Sequence, residues 1–439
     1  MSFTALRCID WSALDEAAQP VALARPAVSG NPDIGRQAMA LLAEVRAGGD
    51  EAVLRLTERF DGVRPEPLRV TTAEAAAAER ELPAVAREAI AVAIANVRRF
   101  HEAQLPPPVR VETAPGVVCE RVSRPLRAVG LYVPAGSAPL PSTAIMLSVP
   151  ATLAGCATRI ICTPPRPDGR ADASVVVAAR MAGVSEIFKI GGVQAVGAMA
   201  YGTASVPKVD KIFGPGNAWV TAAKAAVAAD PGGAALDLPA GPSEVMVIAD
   251  DEANPRYVAL DLLSQAEHGP DSHAVLVTTS TSLVGRVDAA LREALPRLSR
   301  RSIIERSLAH AVAILVPDAQ TAVAVANSYA PEHLILQVAD ARALAAAIDS
   351  AGSVFIGPWT PESVGDYCSG TNHVLPTYGY ARAYSGLSVT DFQRRMTLQE
   401  LTPAGLRLLA PTVTTLAGLE GLDAHASAVA VRMADISGA

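Results

Sequence analysis

The chain lacks the marks of several protein classes. None of its apolar runs reaches the roughly 20 residues needed to cross a bilayer, so a membrane span is not expected. The opening residues, MSFTALRCIDWSALDEAAQP, contain no basic region followed by an apolar core, and no secretory leader is expected there. No basic patch stands out in a chain of net charge −7, which argues against nucleic acid as a partner. The cysteines are Cys8, Cys119, Cys156, Cys162 and Cys368. Their number is odd, their spacing scattered, and no CxxC pair occurs, so neither a disulfide framework nor a thiolate zinc site is indicated. A reducing, cytoplasmic setting fits. The usual dinucleotide fingerprint is also missing: Gly214-Pro215-Gly216-Asn217-Ala218-Trp219 lacks the third glycine.

What is present is enough apolar sequence for more than one core. The 439 residues are 50% hydrophobic, a length that suggests two or three domains. Residues 1–30 read as a loose helical lead-in interrupted by Pro20 and Pro26. IGRQAMALLAEVRAGG is helical and stops at Gly48-Gly49. DEAVLRLTERFDG restarts with Asp50 as N-cap. Another helical block follows, broken near Pro83, and His101 at its end reads as a packing or surface residue. From about Leu126, short strands alternate with helices over short loops, the pattern of parallel βαβ units. Ligands of such sheets bind at the carboxyl ends of strands. The loops there carry Tyr132 with Pro134-Ala135-Gly136, Gly191-Gly192-Val193-Gln194 and Gly214-Pro215-Gly216-Asn217. Small-residue turns at helix starts present backbone N–H groups to a phosphate; from spacing alone, a generic nucleotide-sized pocket is an equal reading.

The alternation resumes after residue 250 and ends near 386, and the remainder turns helical. The expected fold is therefore α/β, with two parallel-sheet domains and helical extensions at both ends. The expected division is a lead-in over 1–30, a discontinuous α/β domain over 31–128 plus 251–386, an inserted α/β domain over 129–250, and a helical tail over 387–439. The apolar residues of that tail need a partner surface.

One stretch organises the rest, LDLPAGPSEVMVIADDEANPRYVALDLLSQAEHG from Leu236 to Gly269. A turn with Ser243 precedes an apolar strand. A helix follows, with Gln265 and His268 three apart at its end, a spacing that puts both on one helical face. AGPSEV followed at this distance by DLLSQAEHG resembles the signature of the histidinol dehydrogenases, zinc- and NAD-dependent enzymes that end histidine biosynthesis. Leu260 stands where a small residue is usual. Further motifs, APEHL, SGTNHVLPT and EGLDAH, extend the resemblance from about Ile34 to Met433.

The resemblance implies two incomplete Rossmann-like domains, an intertwined homodimer whose tail crosses to the other subunit, and oxidation of L-histidinol through L-histidinaldehyde to L-histidine with NAD+. It implies Tyr132, Gln194 and Asn217 as cofactor contacts. It implies Gln265, His268, Asp366 and His425 as ligands of one Zn2+ per subunit, a set that spacing alone does not reveal. Ser243, His373 and Glu420 match further substrate-site positions, where the metal ligands and His333 also meet the substrate.

Making an acid from a primary alcohol takes two hydride removals, with water adding to the aldehyde between them, so the chemistry needs a base and a water activator. Glu332-His333 sits at a helix–strand junction, where neighbours can face one site; by spacing alone, a solvated Glu beside a helix-end His is the plainer reading. The resemblance implies His333 as general base and Glu332 as activator of water. A cysteine could carry a thiohemiacetal, but a packing role suits each better. His273 and His310 match no motif and read as structural. A same-scaffold dehydrogenase for another polar alcohol, and a metal-dependent hydrolase using Glu332, are the alternatives.

Overall fold

The computed structural model describes residues 6–26, 33–135, 138–239 and 241–438. Gly136 and Ala240, which belong to loops singled out above, lie outside the described residues. The strands are β1 (Arg7–Asp10), β2 (Val109–Ala114), β3 (Val117–Pro125), β4 (Ala128–Tyr132), β5 (Thr158–Thr163), β6 (Glu186–Lys189), β7 (Lys211–Phe213), β8 (Ala235–Leu236), β9 (Glu244–Ala249), β10 (His273–Thr278), β11 (Val312–Leu315), β12 (His333–Gln337), β13 (Ser353–Ile356) and β14 (Gln393–Leu401). The chain divides into two compact units, one of residues 1–104 and 126–391, the other of 105–125 and 392–439.

The first unit holds two parallel sheets. One runs β6-β5-β4-β7-β8 and the other β1-β11-β10-β9-β12-β13. The continuous apolar run of β9 follows from burial on both faces. Val245 and Val247 join one core cluster with Leu262 and Leu276, and Met246 and Ile248 join another with Val275 and Leu334. Leu260, the atypical position of the organising helix, is half exposed and lies outside both clusters.

The expected division needs correction at several boundaries. The strand Glu244–Ala249 does not belong to the inserted domain ending at 250: it pairs with β10 and β12 at the centre of the six-stranded sheet. The five-stranded sheet ends instead with β8. Residues 31–128 do not build the domain that carries Gln265 and Glu332. The helix Ile34–Asp61 packs on the helices Gly192–Tyr201 and Ala218–Ala229 of the five-stranded layer. The helices Thr72–Glu81 and Ala84–Glu102 pack on Ala173–Met181 and Pro141–Ala154 of the same layer. The reason is surface shape. Gly197 leaves no side chain where Val45 approaches, and a Cβ there would lie 3.1 Å from it. Gly49, with φ 55° and ψ −140°, breaks the first of these helices where the glycine pair predicts.

Residues 7–10, read as helical lead-in, form an edge strand paired with β11. Four residues are too few to show a period, and the strand exists through that long-range ladder. Finally, the boundary at 387 falls late in the first unit, since Leu387 and Val389 are buried and Leu387 donates to the Val374 carbonyl at 2.9 Å.

The second unit is an antiparallel sheet, β14-β3-β2, followed by helices Pro403–Glu420 and Asp423–Gly438. The hairpin of β2 and β3, assigned from sequence to the first domain, belongs here. Thr402 caps the first helix by accepting from Gly405 N–H at 3.1 Å. Leu408, Leu416, Leu419 and Val431 are exposed on these helices, and Leu422 is exposed between them.

Candidate active site

A cavity of about 790 Å³ lies in the first unit, with Tyr132, Gln194 and Asn217 on one part of its wall and Ser243, His268, Glu332, His333, Asp366 and His373 on another. The five-stranded sheet contributes loops at the carboxyl ends of its strands, as expected for a parallel sheet. The six-stranded sheet contributes differently. Ser243 immediately precedes β9, and Glu332-His333 open β12.

On the first part, local structure ties down each candidate. The Tyr132 hydroxyl accepts from Gly192 N–H at 3.1 Å, and its ring is buried. Burial pushes this phenol up to about 12, so it stays protonated. The Asn217 Oδ1 accepts from the N–H groups of Trp219 and Val220, both at 3.1 Å, and so caps the helix Ala218–Ala229. Its amide nitrogen remains the group it can offer a ligand. The Gln194 amide donates toward Asp61 at 3.4 Å, and Asp61, at the end of a helix on the cavity wall, is raised to about 6 by burial.

The turn before Asn217 is fixed from behind. Gly214 has φ +117°, and its N–H donates to Asp237 at 2.7 Å. Its carbonyl accepts from the buried Lys224 at 2.8 Å, and Lys224 pairs with the other oxygen of Asp237. A Cβ at Gly214 would meet the Tyr132 carbonyl oxygen at 2.2 Å, so only glycine fits.

On the other part, Gln265 lies buried in the last turn of the helix Pro255–Ala266. His268 does not share that helix, as its sequence spacing suggests. It follows in a turn, its N–H on the Gln265 carbonyl at 3.2 Å. Desolvation holds its imidazole below the ordinary range, so it is a neutral nitrogen donor near pH 7. Asp366, on the short helix Glu362–Tyr367, is drawn below the ordinary range. Burial opposes this, but the contact with His333 outweighs it. His373 donates from Nδ1 to the Asp366 carbonyl at 3.0 Å and pairs through Nε2 with the Thr143 hydroxyl at 3.2 Å.

The Glu332-His333 corner is the most constrained part. The Glu332 carboxylate accepts from Glu244 N–H at 2.9 Å, and burial raises it to about 8. The His333 Nδ1 lies 3.2 Å from the Glu244 carbonyl oxygen. A carbonyl only accepts, so a hydrogen bond in this contact needs a proton on Nδ1, while the Gln265 amide nitrogen, turned toward Glu362, lies 3.2 Å from the same Nδ1. The His333 Nε2 is buried, has no hydrogen-bond partner, and lies 3.6 Å from Asp366, beyond hydrogen-bond reach. Three carboxylates, Glu362, Glu332 and Asp366, surround the ring and raise its proton affinity against the cost of burial.

Two features of this site escaped the sequence reading. Glu362 is buried and sits beside His333, 3.8 Å from Nδ1. With its amide nitrogen turned toward this carboxylate, Gln265 donates to both oxygens at 2.8 and 3.3 Å. The helical spacing of Glu362 and Asp366, four apart, was the available signal. His268, Glu362 and Asp366 each bring a possible ligand atom within 4.8 Å of the others. The other feature is Arg25, which reaches Glu244 from the N-terminal segment.

Glu420 ends the helix Pro403–Glu420 and His425 lies in Asp423–Gly438; both are exposed residues of the second unit. Of the remaining histidines, His273 is buried and pairs through Nδ1 with the Tyr329 hydroxyl at 2.8 Å. Burial raises the Cys156 thiol to about 11 and the Cys162 thiol further, so neither supplies a thiolate.

Comparison with known proteins agrees with this geometry. Residues 24–433 match the family model described as histidinol dehydrogenase. The chain is 53% identical to the histidinol dehydrogenase of Vibrio vulnificus (strain CMCP6) over 428 residues, covering 98% of each chain. It is 54% identical to that of Xanthomonas axonopodis pv. citri, again over 428 residues, covering 98% of this chain and 99% of the relative. The crystal structure of histidinol dehydrogenase from Elizabethkingia anophelis superposes over the full length of both chains with a TM-score of 0.95 at 40% identity. A cavity joining dinucleotide-type loops to a buried Glu-His pair, in a chain alike throughout its length to these enzymes, has one reading: the chain belongs to the histidinol dehydrogenase family.

Proposed function

We propose that this protein oxidises L-histidinol, through L-histidinaldehyde, to L-histidine, reducing two equivalents of NAD+ and consuming one water, as the last steps of histidine biosynthesis in the cytoplasm. The observation that carries the reading is the His333 Nε2, a ring nitrogen buried without a hydrogen-bond partner in a cavity shared with helix-start loops, on an imidazole whose proton affinity three carboxylates raise. In the first oxidation, Nε2 takes the hydroxyl proton as hydride leaves the carbinol carbon for NAD+. Water then adds to the aldehyde carbon, with Glu332 drawing off its proton. A carboxylate whose proton affinity burial has raised is a far stronger base than one in water. The alkoxide formed by that addition takes back the proton held by His333, and the second hydride then leaves the gem-diol for a second NAD+ as His333 again removes a hydroxyl proton. Tyr132, Gln194 and Asn217 would bind the cofactor.

The residues present fit a zinc ion. His268 offers a neutral nitrogen and Asp366 an anionic oxygen. Glu362, by engaging the amide nitrogen of Gln265, leaves the amide oxygen as the atom that side chain can give a metal. Gln265, His268 and Asp366 would hold the ion together with His425 of a second copy. A bound zinc supplies a Lewis-acidic anchor for neutral nitrogen donors of the substrate. Ser243, His373 and Glu420 complete the substrate site. The exposed leucines of the second unit suit burial against another copy, which makes the working enzyme a homodimer with shared sites.

The test separates the two half-reactions. Glu332→Gln is expected to slow NADH formation from L-histidinaldehyde more than reduction of the aldehyde to L-histidinol by NADH, because only the former consumes water. Equal losses in both would remove Glu332 from the water step.

A further inference from the structure

Glu244 does two things at once with its backbone. Its N–H holds the Glu332 carboxylate at 2.9 Å, and its carbonyl holds the His333 Nδ1 at 3.2 Å. Both groups of the corner therefore hang on one peptide position at the start of β9. The side chain of that residue is buried, and three donors converge on it. Arg25 reaches it through Nε and Nη2, the latter at 2.8 Å, and the Tyr329 hydroxyl donates at 3.2 Å. His273 in turn holds Tyr329.

Arg25 does more than pair with Glu244. Its Nη2 also reaches the Tyr329 carbonyl at 2.8 Å and the Ala330 carbonyl at 3.4 Å, and its guanidinium lies 3.8 Å over the Tyr329 ring. These carbonyls close the helix Ala319–Tyr329, where a cation is favoured. Ala330 has φ 52°, a left-handed conformation uncommon for a residue with a Cβ. Two residues later come Glu332 and His333. One guanidinium thus ties together the two segments, 244 and 329–333, whose mutual placement sets the corner.

A buried ion pair is an indifferent way to gain stability, because desolvation offsets most of the attraction. Its directional, bidentate geometry is what an apolar pair lacks. We propose that Arg25 is a positioning residue for the oxidation: by clamping Glu244 and the Tyr329–Ala330 turn it fixes the Glu332 carboxylate and the His333 imidazole, while touching neither. The inference rests on the reading above that Glu332 and His333 perform the chemistry.

The test uses the full-length, zinc-loaded protein, with Arg25→Ala, Arg25→Lys, Glu244→Gln, Glu332→Gln and the double variant Arg25→Ala/Glu332→Gln, each compared by thermal melting and steady-state kinetics. For Arg25→Ala, kcat is expected to fall by about a hundredfold, the scale of a slightly misplaced reacting group. The KM for NAD+ is expected to stay within about twofold. Arg25→Lys keeps the charge but not the fork and should fall between. Millimolar guanidinium, added to Arg25→Ala, should recover part of kcat. The double variant should lose less than the product of the two single losses, since Arg25 acts in part through Glu332.

Overturning results are a folded Arg25→Ala with unchanged kcat, or a double variant whose losses multiply. If Arg25→Ala does not fold, Glu244→Gln carries the test: it removes the charge the clamp grips and should lower kcat with KM kept. A normal kcat there sinks the clamp. Full turnover in Glu332→Gln would instead sink the underlying reading of the corner.

Discussion

Asp261 offers a prediction in which pH separates cause from coincidence. It lies on the helix Pro255–Ala266, is 5% exposed, and has the Gln337 amide at 3.4 Å as its neighbouring donor. Burial raises its carboxyl from 3.8 to about 7. The folded state therefore binds more protons than the unfolded chain across that window. The stability contributed by the protonated form is complete below pH 3.8, declines as pH rises, and is gone above about pH 7. At about 1.36 kcal/mol per decade of proton affinity, the ionised carboxylate costs about 4 kcal/mol at pH 8. Asp261→Asn removes that cost: a flipped Gln337 amide can accept from the new side chain, and the volume is conserved. The variant should gain up to about 4 kcal/mol over the parent at pH 8 and little at pH 4. Urea unfolding of chelator-treated protein, followed at several pH values, measures the difference. A gain independent of pH, or one larger in acid, would refute the reasoning.

Gly214→Ala must move the Tyr132 carbonyl or break the Asp237 and Lys224 contacts on its own peptide. We expect a loss of about 3–5 kcal/mol, as for a disrupted buried pair, and a raised KM for NAD+; an unchanged melting temperature would contradict the fit. Chelation should abolish turnover, and zinc should restore it; activity in protein verified metal-free by elemental analysis would remove the ion from the reaction. Mixing the inactive His425→Ala and His333→Ala variants, with unfolding and reassembly, should restore part of the activity through mixed dimers. No recovery despite verified mixing would count against shared sites.

The parallel sheets were legible in the sequence because alternation of apolar strands and amphipathic helices is a local signal. So was the break at Gly49, since a glycine pair interrupts helical spacing wherever the helix goes. The partners of those helices were not legible. Ile34–Asp61 could have covered either sheet, and only the bare surface at Gly197 decides it. The strand at 245–249 was recognised as a strand, but sheet membership is settled by pairing with residues far along the chain. Most of the candidate site was legible through motifs, and the contacts of His333 were not, since one of them is to a carbonyl 89 positions away. Arg25 went unread for the same reason, since nothing in its own segment marks it as a neighbour of the corner, whereas Glu362 had a local signal in its spacing from Asp366.

The edge strand β1 has a consequence for how the polypeptide matures. Arg7–Asp10 is made about 300 residues before Val312–Leu315, the strand it pairs with. At typical synthesis speeds, the roughly 300 intervening residues take about 15–60 s to appear. Throughout that interval Arg25, a short way downstream, also waits for its anchor at Tyr329. The β1 ladder and the Arg25 clamp thus close only once residues 312–315 and 329 have been made.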